Sequence, residues 1–276
     1  PVVLVNLMST MGEGMNISSM TSMANLASMD EIGLSSYPEL LKEDEESYLE
    51  KNYALLAGEY PKSASDLVLV IDARNRIDMN ALKGLGFDTE NVDSIKFTDI
   101  LGTEFRIISN DDYYVKTDLG SYLPGRDYEA MYASDKSTAV RIAGIIRQKQ
   151  DVRIGVLGSG IAYSDELSQM VIDDAINSDI VKAQQLSDKN VMSMEDMDME
   201  TKAMFLSYLG GNATPFIIAV YPDNFEDKDA VLAYLDAYNT DKEMADQVIY
   251  TDLAGTITDL TGGIMDAVTI VLISFA

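Results

Sequence analysis

Cysteine, histidine and tryptophan are absent from all 276 residues. Without cysteine there is no thiol nucleophile, no disulfide and no thiolate zinc site. That composition suits an exposed bacterial protein that avoids thiol chemistry. Without histidine there is no Ser-His-Asp triad, and the commonest general base and transition-metal ligand is gone. Only carboxylate chemistry is left, and the missing tryptophan weakens the case for a sugar-processing cleft. By elimination the chain reads as a non-enzyme, with no cofactor or metal of its own. Basic residues are scarce as well: 20 Lys and Arg stand against 46 Asp and Glu, a formal charge of −26. Nucleic acid needs a basic surface, so it is not an expected partner. Nor does such a chain dock flat on an anionic leaflet. The acidic excess attracts cationic partners, although charge of this kind mostly forms a solvated face. Neither a signal peptide nor a complete membrane span is visible.

What is present is globular: 47% of the residues are hydrophobic and 8% aromatic, enough for one large core or two smaller ones. The most telling stretch is the last. Thr251–Asp266 is polar and mixed, and Asp266 carries the last ionisable side chain. Ala267–Ala276 is then uncharged and apolar through Ile270, Leu272 and Phe275. A membrane helix needs ~20 apolar residues, so this run is half a span. One reading is a C-terminal core helix of a soluble domain. The other, taken as the expectation, is an extracytoplasmic domain ending inside its membrane helix. Past Ala276 that expectation calls for ~10 more apolar residues, a basic cytoplasmic segment and further membrane helices.

In chain order, Pro1–Met8 reads as a strand. Six methionines follow between Met8 and Met29, either gap-filling core or an adaptable surface. Glu43-Asp44-Glu45-Glu46 lacks the alternating ligand spacing of a calcium loop, and reads as a solvated helix start. Tyr48, Leu49, Tyr53, Leu55 and Leu56 continue at roughly helical spacing until Gly58 and Pro61. Leu67–Asp72 is a strand buried on both faces. Asp78 caps a short helix over 78–86. Phe105–Ser109 and Tyr113–Lys116 flank Asn110-Asp111-Asp112 as a hairpin, against which Thr138–Gln148 should pair. Gly155–Gly160 has neither the P-loop lysine nor dinucleotide glycine spacing and reads as a connector. Ser164 then caps a helix reaching about Asn177. Asp196, Asp198 and Glu200 precede another helix, with spacing too poor for a metal. Pro215–Tyr221 is a strand, Asp223 and Glu226 form a capping box, and Val231, Leu232, Leu235 and Tyr238 line one side of the helix it opens. Gln247–Tyr250 returns as a strand, completing a split βαβ unit.

Several phrases, in this order, resemble a known family: Tyr53–Pro61, Asp66–Val70, Asn80–Gly86, Phe97–Phe105, Arg141–Arg147, Gly160–Tyr163, Tyr221-Pro222, Tyr234–Asn239 and Val271–Ala276. The chain looks like the large extracellular loop of MacB/FtsX-type ABC transporter permeases from Firmicutes. No single phrase is diagnostic; their order over residues 53–276 carries the resemblance, and residues 1–52 fit it loosely. It implies an α+β fold with two mixed α/β subdomains. A porter-like subdomain would take 1–56 and 214–250, a Sabre-like subdomain would be inserted over 57–213, and 251–276 would be a helical stalk opening the second transmembrane helix. It further implies a second permease copy in the membrane and a cytoplasmic ATPase partner that consumes the ATP. An extracytoplasmic adaptor protein and a cationic peptide substrate complete the implied partners. Asp266, Ile270, Leu272 and Phe275 would couple the domain to the membrane, and Gly255, Gly262 and Gly263 would be a hinge, each glycine weakening a helix by ~1 kcal/mol.

Three functions follow. The first is the extracellular domain of a mechanotransmitting permease serving export of, or resistance to, antimicrobial peptides or antibiotics. The second is a free-standing secreted acidic protein that captures cationic peptides. The third is a carboxylate-dependent hydrolase, which needs two acids facing each other across a cleft about 5–10 Å wide.

Overall fold

The computed structural model describes residues 34–38, 46–77, 79–84, 87, 94–152, 155, 157–213, 218, 220–222, 224–253, 255–256 and 258. The chain divides into two compact units, Pro1–Thr214 and Pro215–Ala276. Among the described residues no helix is long and apolar enough to cross a membrane.

The first unit is mixed α/β, built on strands β1 (Ser35–Tyr37), β2 (Tyr53–Gly58), β3 (Asp66–Ile71), β4 (Glu104–Ile107), β7 (Thr138–Gln148) and β8 (Gly160–Ser164). Their order is β1-β8-β3-β7-β2, with β4 also on β7. At 11 residues, β7 is long enough to serve three neighbours. Parallel β3 lies along one side, while the other side carries antiparallel β4 at Thr138–Arg141 and antiparallel β2 at Gly144–Gln148. The sheet therefore takes strands from both sides of residue 56.

Every residue of β3 is buried, as its uninterrupted apolar run requires. Leu67, Leu69 and Ile71 enter one core, and Val68 and Val70 enter the other. On β7 the alternation breaks: Ile142 and Ile145 share a face. A bulge explains it, because Leu67 pairs with Ile142 and Val68 already with Gly144, leaving Ala143 as the extra residue. Helices α2 (Met79–Gly84), α3 (Phe97–Ile100) and α6 (Asp165–Ile176) add Leu82, Ile100 and Leu167 to the first core. The second core is closed by Leu49 of α1 (Tyr48–Asn52) and by Leu157. Helix α1 starts in a capping box, where Ser47 Oγ accepts from Glu50 N at 3.1 Å and Glu50 Oε2 accepts from Ser47 N at 2.9 Å. Ser47→Ala should lower stability by about 1 kcal/mol, readable as a lower urea midpoint at unchanged slope.

Two expectations are corrected here. The helical spacing after Tyr48 stops at Asn52, and Tyr53–Gly58 is strand β2. The segment 105–116 is no hairpin. Ser109 Oγ accepts the Asp111 N–H at 3.3 Å and caps one helical turn, α4 (Asn110–Tyr113). That turn carries β5 (Tyr114–Lys116) away from β4 to pair with β6 (Tyr122–Pro124). Thr138–Gln148 accordingly pairs with β4 alone of the two expected partners. The β5–β6 ribbon precedes α5 (Tyr128–Ala133), and its Tyr114 and Tyr122 pack on α7 (Asp179–Leu186) and the end of α8 (Met199–Tyr208) in a third, smaller core. Two buried amides tie that core together: Asn110 donates to Leu209 O at 2.8 Å, and Gln184 Oε1 accepts from Val191 N at 2.9 Å. The helix expected from Ser164 to about Asn177 is α6, with Ser164 as its N-cap.

The second unit is organised by α9 (Phe225–Asn239), 15 residues long. Its cap is Asn224, whose Oδ1 accepts the Asp227 N–H at 2.9 Å. The expected cap, Asp223, lies outside the described residues, as does Asp78. Lys228, Val231, Leu232, Leu235 and Asn239 form the half-covered side. Tyr238, expected there, is exposed, and so are Phe225 and Tyr234. Gln247–Tyr250 is not in a strand and pairs with none among the described residues. Of the strand expected at Pro215–Tyr221, only Ile218, Val220 and Tyr221 are described, and none of them is in a strand.

Candidate functional site

The residues singled out for membrane coupling, Asp266, Ile270, Leu272 and Phe275, lie outside the described residues, together with Gly262, Gly263 and the run Glu43–Glu45. Gly255 is described. Its N–H donates to Asp252 Oδ1 at 2.7 Å, and Thr256 Oγ1 donates to Asp252 O at 2.7 Å. Asp252 thereby caps a helical turn at the point where the stalk was expected to begin.

The same aspartate is one of three places where the segment 247–252 is fastened to α9. Near the helix C-terminus the Asn239 side chain imitates a strand partner. Its Nδ2 donates to Val248 O at 2.9 Å, and its Oδ1 accepts from Val248 N at 2.8 Å. In the middle, Tyr250 Oη donates to Asp236 Oδ1 at 2.5 Å. In the first helical turns, Lys228 Nζ donates to Asp252 Oδ2 at 2.7 Å and reaches Asp229 at 3.0 Å. The segment runs antiparallel to the helix, so its contacts are spread along the helix length and resist both sliding and peeling. Hydrogen bonding to Asp252, and then to Asp229, raises the Lys228 pKa above the ordinary lysine value. The bond to Asp236 does most to raise the Tyr250 pKa, with desolvation adding to it. Lys228 also lies 5.7 Å from the Phe225 ring centroid, within cation–π range. No sequence signal announces the three fastenings, whose partners lie 9, 14 and 24 residues apart along the chain.

The acidic residues around 196–200 act locally. Asp198 Oδ1 caps α8 by accepting the Thr201 N–H at 2.7 Å, a bond that lowers its pKa. Asp196 pairs with Lys189 at 3.3 Å. Among the described residues no three acidic side chains are grouped to hold a metal ion. The glycine-containing connector turns its polar groups to the sheet: Leu157 N donates to Tyr53 Oη at 3.1 Å, and Ser159 Oγ donates to Val70 O at 3.3 Å. Compared with known families, curated proteins and solved structures, the chain matches none.

Proposed function

We propose that the chain is the non-catalytic extracellular domain of a MacB/FtsX-type ABC permease, transmitting ATP-driven motion across the cell membrane. It would serve export of, or resistance to, antimicrobial peptides or antibiotics. A cytoplasmic ATPase supplies the energy, a second permease copy completes the membrane dimer, and an adaptor and a cationic peptide meet the outer side. On this reading 1–56 and 214–250 form the porter-like part, 57–213 is the Sabre-like insertion, and 251–276 is the stalk.

The observation that carries the proposal is the triple fastening of 247–252 to α9. A lever needs the segment entering the stalk to move with the body behind it. Three contacts spread from Lys228 to Asn239 supply that stiffness. The quoted phrases support it more loosely: Tyr53–Pro61 contains β2, Arg141–Arg147 lies within β7, and Tyr234–Asn239 is the end of α9.

The test uses the whole gene product in its membrane. Because this chain has no cysteine, Tyr234→Cys provides a thiol found nowhere else in it, at a site 71% exposed. It should react with a membrane-impermeant maleimide in intact cells. Lys228→Met combined with Tyr250→Phe should leave ATP hydrolysis within twofold while lowering peptide resistance at least fivefold. Labelling only after lysis, or full resistance in the double variant, would sink the reading.

A further inference from the structure

Acids outnumber bases more than two to one, yet Arg74, Arg147 and Lys149 all lie at one end of the sheet. Strands β3 and β7 run parallel with Ile71 opposite Arg147, so the residues that follow each strand emerge side by side. Beyond β3 comes Asp72-Ala73-Arg74-Asn75-Arg76; β7 ends on Gln148, and beyond it come Lys149-Gln150.

The turn is built around Asp72. Its Oδ1 accepts the N–H groups of Arg74 at 2.8 Å and Arg76 at 2.7 Å, and its Oδ2 accepts from Arg76 Nε at 2.7 Å. These bonds, the Arg76 N–H foremost, hold the Asp72 carboxyl below its ordinary pKa, and Arg76 balances its charge. Asn75 follows in the left-handed region at φ 58°, a conformation asparagine tolerates. Its Oδ1 accepts from Arg147 Nη1 at 2.6 Å. Lys149 Nζ donates to the Glu50 carbonyl at 2.6 Å. Both cations are thus held by neutral oxygens. Among the described residues neither forms an ion pair, and neither does Arg74. The Glu50 carboxylate accepts the Ser47 N–H and feels the Lys149 charge more weakly, and Asp151 is exposed. A guanidinium has five N–H donors and an ammonium three, so among the described residues most of the donors on Arg147 and Lys149 are unspent. Between them lies a cleft of about 220 Å³, lined by Ala73, Arg147, Gln148, Lys149, Gln150 and Val152.

We propose that this cleft binds a phosphate group, free or as a small monoester. The volume is below the ~300 Å³ at which pockets for drug-sized ligands begin and suits a compact oxyanion. An arginine fork beside a lysine matches a phosphate's charge and its several acceptor oxygens better than a single carboxylate. This site stands apart from the lever reading and does not depend on it.

Calorimetric titration of the full chain with inorganic phosphate, at constant ionic strength, tests it. Saturable one-site binding is expected. Arg147→Gln with Lys149→Gln should weaken it at least tenfold, and Lys116→Gln, outside the cleft, should change it less than twofold. Acetate should bind at least tenfold more weakly than phosphate. Glycerol phosphate separates the sources: equal affinity indicates free phosphate and tighter binding a monoester, and both support the site. Amide resonances of Ala73, Gln150 and Val152 should move in the unsubstituted protein, which reads the site even if the double variant fails to fold. Absence of saturable binding, wild-type affinity in a folded double variant, acetate equal to phosphate, or shifts confined to other residues would overturn it.

Discussion

Gly58→Ala should lower the stability of the first unit by about 2–5 kcal/mol, seen as a large drop in urea midpoint with little change in slope. Two costs combine. Gly58 sits at φ 77°, where a side chain crowds its own backbone. A Cβ built there would also stand 2.2 Å from Ala143 O and 2.7 Å from Leu101 Cδ2. The carbonyl cannot retreat, because it accepts the Glu59 N–H at 3.0 Å at the point where β2 and β7 pass each other. Gly102 separates the two costs. It has φ 79° but nothing within 4 Å of a built Cβ, so Gly102→Ala should show only the conformational part, about 1–2 kcal/mol. Equal losses in the two variants would mean that the β2–β7 approach is not tight.

That joint also shows why parts of the fold are legible in the sequence and others are not. Leu67–Ile71 announces itself, since a strand covered on both faces has no need of alternation. Helices α6 and α9 announce themselves through Ser164 and the polar residues before Phe225, because capping is local chemistry. The β2 segment misleads: Leu49, Tyr53 and Leu56 fall at helical spacing, and only pairing with β7, about 90 residues later, makes Tyr53–Gly58 a strand. The turn at Asn110-Asp111-Asp112 misleads for a related reason. Residues that tip a hairpin also cap helices, and Ser109 decides between the two. Gly58 is visible as a stop, whereas the carbonyl that forbids any other residue there is not. At the candidate site Lys228 and Asp252 look like ordinary surface charges, and Asn239 like a helix end. Their partnership exists only after α9 and the segment 247–252 are laid side by side. The cleft residues are hidden in the same way, because Ala73 and Arg147 come to line one cleft through the parallel register of β3 and β7.

Asp66→Asn should cost about 2 kcal/mol at pH 7, and the difference from wild type should shrink in acid. The Asp66 side chain is only 5% exposed. Its Oδ1 accepts from Arg141 Nε at 2.8 Å, and its Oδ2 from Lys62 N at 3.0 Å and Ser63 Oγ at 3.2 Å. It therefore fastens the turn after β2 to the start of β3 and, through Arg141, to β7. Burial alone would raise its pKa. The Lys62 N–H, the Arg141 guanidinium and the Ser63 hydroxyl together outweigh burial and bring it below the ordinary 3.8. A carboxylate depressed in this way contributes stability that is present above its unfolded pKa and lost as pH falls through its folded pKa. The wild-type advantage over Asp66→Asn should therefore be constant from pH 7 down to about 5 and decline below the unfolded value near 4. Taking the difference between the two proteins removes the other carboxylates, which titrate alike in both. Arg141 is half exposed, so solvent screens its share of the attraction, and Arg141→Gln should cost less than Asp66→Asn. Urea unfolding of the three proteins at pH 7, 5 and 3 decides the matter: an advantage that stays level or grows toward pH 3 would show that Asp66 is not held in its charged form.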